Sequence, residues 1–452
     1  MSNASAGPPV ETLPAGPYNG GVKKHKLLLT VLGLCTIFPS GCKKPPQRPN
    51  IVIIVVDALR ADHLPFYGYK KDTAPFLNTL SRHSSVFVHA HSTSNWTAPS
   101  IGSLLTSLYP FQHFVNTGNP STIPANEDKV EVSVSAISQS ITTMAEMFKN
   151  SGYRTFGISS NFFISQDRGF AQGFDYFQHY PMHADAEVLN AKVTEWEGEM
   201  RKSPYHLYIH YTDIHIPYRR RPPWYQPGKN KRDDFISAYD SNIPYIDDKI
   251  RELYRRLNWD RNTILIVTAD HGEEFWEHGY RGHGHNLFNG SLRVPLLIWL
   301  PQGDRAGRRI EPNVNHLDIL PTLCEYIGQK RDPQLEGRSL LPAMKGKPGY
   351  LLGQPIYAHV QRGPYRYRGI LHDNWKLIMT PEGDKYYLFD LKTDPDEKNN
   401  LAKQPEQQDR KLEMARQYWE FEKNSRKYEQ KLVEIVFTRK ELEKLRSLGY
   451  ID

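Results

Sequence analysis

Thr97 lies in the stretch Ser94-Asn95-Trp96-Thr97-Ala98-Pro99-Ser100-Ile101-Gly102-Ser103-Leu104-Leu105. Its polar start, early proline and following run of small and apolar residues read as the beginning of a helix. A helix start presents unpaired N–H groups and a partial positive charge, so it suits an anion. A Thr at that position serves either as a cap or as a nucleophile toward an oxyanion ester. Two other stretches bear on the choice. Asn50 to Val56 is a continuous apolar, β-branched run that ends in Asp57, and Thr263 to Ala269 is a second such run that ends in Asp270 and His271. Runs of this kind are strands buried on both faces, as in a parallel sheet. In open α/β sheets chemistry collects beyond the C-terminal ends of strands. Asp57, Asp270 and His271 therefore belong at one sheet edge, and with the Thr97 oxygen they offer a divalent cation four ligands. Asp213 and His215 are two apart and share a face in extended chain. A segment rich in His and Gly, His278 to His285, follows.

The elements that must position these groups can be read in order. Thr73–Ser81 reads as a short helix, and Val86–Val88 as a short strand leading toward Thr97. Residues Ile137 to Gly152 have a helical pattern with Gly152 as the stop. Thr155–Ser159 reads as a strand and Phe170–Phe177 as a loop. His206 to Tyr218 is a strand running into a loop at Pro217. Asp233 to Arg256 reads as one long amphipathic helix, with Ile236, Tyr239, Ile243, Ile246, Ile250 and Leu253 at helical intervals. Val294–Trp299 is a further strand. After Pro348 four short strands separated by turns (356–360, 367–371, 376–379, 386–391) predict a small antiparallel sheet. Gln404 to Arg446 is strongly charged and predicts a helical tail.

The chain has 452 residues, enough for one large α/β domain and a smaller one, and a net charge of +7. The positive excess is dispersed, as at Arg219–Arg221 and Arg305 to Arg309. That pattern favours attraction of an anionic substrate over nucleic-acid binding, and no zinc-finger, Walker or RNA-binding signature accompanies it. The N-terminal residues Met1 to Gly21 are rich in Gly, Pro and Ala and predict disorder. Lys23 to Lys26, the apolar run Leu27 to Phe38 and Pro39-Ser40-Gly41-Cys42 then describe an export signal too short to span a bilayer. Ser-Gly-Cys resembles a bacterial lipobox with Cys42 as the lipidated residue, which implies export to the periplasm, soluble or membrane-anchored by the lipid. Of three cysteines, Cys35, Cys42 and Cys324, only the last remains in the mature body, so no disulfide framework is expected. The domain reading is 1–42 for the start and signal, 48–348 for the catalytic domain and 349–452 for the small sheet and tail.

From about Pro49 onward the chain resembles the sulfatase family of the alkaline phosphatase superfamily. The resemblance rests on Pro-Asn-Ile-Val at 49–52 with Asp57, Arg-Ala-Asp-His-Leu at 60–64, Tyr-Gly-Tyr at 67–69 and Trp-Thr-Ala-Pro-Ser at 96–100. It continues with Leu-Leu-Thr at 104–106 before Tyr109-Pro110, Gly-Phe-Asp at 173–175 and His-Ile-Pro-Tyr at 215–218. Thr-Ala-Asp-His-Gly-Glu-Glu at 268–274, Gly-His-Gly at 282–284, Arg-Val-Pro-Leu at 293–296 and Tyr386 to Leu401 complete it. It implies a large, mixed, mostly parallel sheet flanked by helices, followed by a small antiparallel sheet. It makes Asp57, Asp270 and His271 metal ligands together with Thr97, and puts Thr97 in the nucleophile position. It also makes His215 and His283 the groups that hold the substrate's anion or protonate the leaving oxygen, with Asp213 beside them as a substrate-binding or second-metal residue.

The stretch departs from the family where formylglycine is made. Thr97 replaces the Cys or Ser that is oxidised, its β-carbon carries a methyl, and the Arg that follows Pro-Ser is Ile101. Ala58 replaces a second Asp, and His271 stands where many members have Asn. A His in the ligand set favours Zn²⁺ or Mn²⁺ over Ca²⁺ or Mg²⁺, which prefer oxygen shells. Three readings follow: a metal-dependent hydrolase of a sulfate or phosphate ester acting through Thr97, a phosphotransferase or phosphodiesterase acting on a surface glycan or lipid, and a non-catalytic binder of the same fold.

Overall fold

The computed structural model describes residues 48–116, 129–180, 184–301 and 307–447. The expected signal segment and Cys42 lie outside these residues. The parts expected at 48–348 and 349–452 both fall within one compact unit, Gln47–Asp452.

An eight-stranded sheet organises the chain. In chain order its strands are β1 (Asn50–Val56), β2 (Ser85–Phe87), β3 (Arg154–Ser159), β4 (Tyr176–His179), β5 (Tyr205–Tyr211), β6 (Thr263–Thr268), β7 (Leu296–Trp299) and β8 (Arg308–Ile310). Their spatial order is β8-β2-β7-β6-β1-β5-β3-β4. Only β7 runs antiparallel to its neighbours, so the sheet is mixed and mostly parallel, flanked by helices. The β-branched run of β1 explains its central place: Ile51 to Val56 are each 0 % exposed. Burying such side chains contributes about 1.5–3 kcal/mol apiece, which fixes β1 between β5 and β6. The register pairs Val56 with Tyr211 and Val55 with Thr268, so these three strands end level. The Asp57 amide continues the ladder by donating to the Tyr211 carbonyl at 2.9 Å.

The C-terminal sheet is the expected antiparallel meander, β9 (Ile356–Arg362), β10 (Tyr365–His372), β11 (Trp375–Met379) and β12 (Tyr386–Asp390). It docks through the His359 amide on the Thr93 carbonyl, 2.8 Å, and through its internal buried pair Lys376–Glu397, whose ammonium donates to Asn289 Oδ1 at 2.8 Å and whose carboxylate accepts from the Asn289 amide at 2.5 Å.

Four sequence expectations are corrected. The helix expected over 137–152 is confined to Met144–Asn150, because Thr143 and Glu146 form a capping box that starts it late. The segment expected as a loop at 170–177 ends in β4, which pairs with β3 from Phe156↔Tyr176 onward. The long helix expected over 233–256 is two, Lys231–Asp240 and Ile243–Arg256, since Pro244 opens the second. The charged tail is helical only at Gln408–Asn424 and Arg439–Ser447. Between them Lys431–Thr438 is a strand, antiparallel to Lys129–Ala136. Its sequence, Lys-Leu-Val-Glu-Ile-Val-Phe-Thr, is rich in β-branched residues, and that preference outweighs the surrounding charge. Among the described residues no helix is long and apolar enough to cross a membrane.

Candidate active site

The level ends of β1, β5 and β6 put four groups into one dry cluster. Asp57, His210, Asp270 and His271 are all 0 % exposed. The Asp57 and Asp270 carboxylates and the His271 imidazole each turn a ligand atom to a common point, within 4.8 Å of one another. His271 Nε2 is 3.4 Å from Asp270 Oδ2 and 3.8 Å from Asp57 Oδ1. His210, the penultimate residue of β5, brings Nε2 to 3.4 Å from Asp57 Oδ2 and 4.0 Å from Asp270 Oδ2. The far side of each ring is engaged: His271 Nδ1 donates to the Gly272 carbonyl at 2.8 Å, and His210 Nδ1 meets the Tyr208 hydroxyl at 2.8 Å. Fixing Nδ1 of His271 as the donor leaves its Nε2 lone pair facing the carboxylates.

Asp270 is held by local backbone. Its Oδ1 accepts from the amides of Ala58, 3.0 Å, and His271, 2.9 Å. Ala58 reaches it by adopting φ +59°, a conformation costly for a non-glycine residue. The Tyr239 hydroxyl secures the turn by donating to the Ala58 carbonyl at 2.8 Å.

Thr97 is the first residue of the helix Thr97–Thr106 and is 2 % exposed. Its Oγ1 lies 3.5 Å from His271 Nε2 and accepts from Asn161 Nδ2 at 3.3 Å. The same Asn161 amide donates to Asp57 Oδ2 at 2.6 Å. Behind the helix, Ser100 Oγ donates to the Asp270 carbonyl at 2.5 Å, which locks helix to strand end.

Two further histidines close the other side. The His283 ring lies 4.2 Å from that of His271 and 5.1 Å from that of His215, centre to centre. His215 Nδ1 donates to the Ile216 carbonyl at 2.6 Å. His283 Nδ1 meets Glu273 Oε1 at 3.0 Å, and Tyr218 donates to Glu273 Oε2 at 2.7 Å. Tyr218, Glu273 and His283 thus form a chain that aims His283 Nε2.

The charges fit a cation. Burial pushes Asp270 up and the neighbouring Asp57 pushes it further. Asp57 is buried too, yet His215, His210 and His271 hold it well below the usual carboxylate range. Burial lowers His271, but Asp270 and Asp57 outweigh it and raise the imidazole. Burial lowers His215 and His283, and for His283 the neighbouring imidazoles add to it. Burial carries Glu273 up to about 7. Asp57 Oδ1 and Asp270 Oδ2 are buried with no hydrogen-bond partner. Two carboxylate oxygens stranded beside imidazole nitrogens are what a divalent ion of mixed N/O preference satisfies.

Six of the seven residues singled out from the sequence, Asp57, Thr97, His215, Asp270, His271 and His283, share this site. Asp213 does not join them. Its Oδ1 pairs with Arg221 at 3.0 Å and its Oδ2 accepts from the Ala186 amide at 3.1 Å. Burial, with Asp185 nearby, pushes it up to about 7. Asn161, His210 and the Tyr218–Glu273 pair were not expected. His210 stands near the C-terminal end of β5 and Asn161 two residues beyond that of β3, where the rule that flagged Asp57 applies equally.

A family model for sulfatases matches residues 49–329. The chain belongs to the sulfatase family. It is accordingly an ester hydrolase with a mixed α/β fold. A second model, for the C-terminal part of N-sulphoglucosamine sulphohydrolase, matches residues 276–424. An ulvan-active sulfatase of Formosa agariphila is 25% identical over 421 residues, covering 80% of this chain and 78% of its own. Among solved structures, one in complex with its substrate D-glucosamine-2-N,6-O-disulfate superposes with a TM-score of 0.70 at 17% identity, covering 83% of this chain and 98% of its own. The phosphonate monoester hydrolase of Agrobacterium radiobacter superposes with a TM-score of 0.67 at 18% identity, covering 82% and 95%.

Proposed function

We propose that this sulfatase-family chain hydrolyses an anionic sulfate or phosphate ester by covalent catalysis through Thr97, with a divalent cation held by Asp57, Asp270, His271 and His210. The observation that carries the reading is the placement of Thr97 Oγ1, at a helix start, 3.5 Å from His271 Nε2 and 3.3 Å from Asn161 Nδ2. A bound cation would supply Lewis-acid stabilisation of the ester oxygens and lower the hydroxyl pKa. The chain's own groups do the rest. Asn161 orients Thr97 and Asp57 together. The helix start meets the charge that develops on the transferred group. Thr97 Oγ1 forms a bond to sulfur or phosphorus as the bond to the leaving oxygen breaks. His283, aimed by Glu273, or His215 takes up the Thr97 hydroxyl proton as this bond forms and passes it to the leaving oxygen. Water then opens the Thr97 ester.

The donor set, with imidazoles in it and no group able to become formylglycine, supports Zn²⁺ or Mn²⁺. It also supports chemistry in the phosphorus branch beside that of sulfur; a phosphonate monoester hydrolase shares the fold. Export, by the signal reading that ends at Cys42, would place the enzyme outside the cytoplasm. The test is turnover of 4-nitrophenyl sulfate, phosphate and phosphodiester by the full chain, with each metal added in turn. Cleavage of one of them that needs Zn²⁺ or Mn²⁺ and vanishes in Thr97→Ala supports the reading. Unchanged cleavage in Thr97→Ala overturns it.

A further inference from the structure

Three arginines are buried among the described residues, and one of them has no counter-charge there. Arg60 faces Asp62 at 2.7 Å and Glu277 at 2.8 Å, and Arg368 faces Glu422 at 3.6 Å. Arg168 is the most deeply buried of the three, 1 % exposed. Its Nε donates to the Ser135 carbonyl at 3.0 Å, and its guanidinium lies over the Phe163 ring, 5.3 Å from the ring centre. Nη1 and Nη2 are buried too, and neither has a hydrogen-bond partner among the described residues. Burial alone pulls the group below its ordinary range, to about 9, with no charged neighbour acting on it in either direction. A lone ion taken out of water is costly enough that buried charges are paired as a rule.

The backbone holds this side chain inward. The Arg168 carbonyl accepts from the Ile137 amide at 3.0 Å, and the Phe170 amide closes the loop on the Ser165 carbonyl at 3.2 Å. Gly169, at φ +77°, presses so close that a Cβ there would come within 2.8 Å of the Ile137 carbonyl oxygen. The same loop begins at Asn161. The Phe163 amide donates to Asn161 Oδ1 at 2.8 Å, and the Phe163 ring meets that of Trp96 edge-on at 5.6 Å. Phe163 thus joins Arg168 to Asn161, which bonds Thr97, and to Trp96, which precedes it.

One positive charge asks for one negative charge. A sulfate or phosphate dianion would bury a surplus, because no second cation acts at this point. The N–H bonds of Nη1 and Nη2 lie in one plane and match a single small acceptor. We infer that Arg168 binds one small monovalent anion, a halide ion or a carboxylate of formate size, and that this ion is a structural part of the loop that orients Thr97. The site does not rest on the ester chemistry.

The experiment is thermal melting of the full chain at constant ionic strength, with the bulky anion of a sodium morpholinoethanesulfonate buffer exchanged stepwise for chloride, bromide or formate. The melting temperature of the wild type should rise along a saturating curve with at least one of the three, by about 3 °C at roughly a hundred times its dissociation constant. Arg168→Met keeps the length of the side chain and removes the charge, and its melting temperature should not follow that curve. Equal responses in wild type and Arg168→Met overturn the site, as does a wild type indifferent to all three ions. Crystals of the wild type grown in bromide give an answer that needs no variant. An anomalous peak within hydrogen-bond distance of Nη1 or Nη2 supports the site, and the lack of one in crystals grown above the concentration that saturates the melts overturns it. Neither readout uses turnover, so loss of the hydrolysis reading would leave both intact.

Discussion

The ion pair between Lys376 and Glu397 invites a quantitative test of how the C-terminal sheet holds the active site. The two side chains are 2 % and 1 % exposed and 2.6 Å apart. Lys376 also donates to Asn289 Oδ1 at 2.8 Å, and Glu397 Oε2 accepts from the Asn289 amide at 2.5 Å. Burial holds Lys376 below the usual lysine range even though Glu397 pulls the other way. Desolvation thus offsets much of the attraction, and the net worth of the pair is small. Removing one member is different, because it strands a charge in the interior and costs about 3–5 kcal/mol. Replacing both by apolar groups of similar size costs little by the same argument. Lys376→Met and Glu397→Leu should each lower the denaturant midpoint strongly, and the double variant should recover most of the loss. The positions touch, so strong non-additivity is required. Asn289 begins the turn whose Gly290 and Ser291 carbonyls accept the Glu273 and Gly272 amides at 2.9 and 2.8 Å. The single variants should therefore also lose turnover before they lose global structure. Urea unfolding followed by tryptophan fluorescence, with activity measured at each concentration, is the assay. Additive single losses, or a Lys376→Met protein as stable as the wild type, would refute the reasoning.

Three further outcomes follow from the site and its supports. Asn161→Ala removes a hydrogen bond to a charged partner, worth about 1.5–3 kcal/mol, so kcat/KM should fall roughly ten- to hundredfold with little change in melting temperature. Glu273→Gln breaks the chain that aims His283 and should reduce kcat by about 10–100-fold, measured with an ester of low-pKa leaving group beside one of high pKa; the second should suffer more. Asp247 accepts from the Phe76 and Leu77 amides at 2.8 Å each, yet burial pushes it up to about 7. Its folded value lies above the unfolded one near 4, so the folded state binds the extra proton between those limits. Its contribution is thus present at low pH and is lost as pH rises toward 7. The Asp247→Asn variant should show a flatter stability profile from pH 4 to 7 than the wild type, by thermal melts across that range.

The parts of this protein that were legible in its sequence are those where one local signal decides the outcome. Unbroken β-branched runs ending in Asp57 and in Asp270-His271 specify adjacent buried strands and the acids at their ends. The small meander was equally clear from its alternating strands and turn residues. Elements decided by partners remote in sequence were not. Lys431–Thr438 has the β-branched residues of a strand, but nothing in the charged tail names Lys129–Ala136 as its partner. Asp213 looked like a ligand from its place before His215, but Arg221 claims its carboxylate. Asn161 and His210 carry no motif; the pairing of β5 with β1, and of β3 with β5, brings them to Thr97.

In the proposed reaction Thr97 bears the transferred group. Acid-quenched enzyme, metal-loaded and mixed with a fast 4-nitrophenyl ester, should yield a Thr97 peptide heavier by one sulfuryl or phosphoryl group. The adduct should be absent from Thr97→Ala and should disappear on longer incubation as water releases it. Steady turnover with an unmodified Thr97 peptide at every quench time, and with normal rates in Thr97→Ala, would contradict the account.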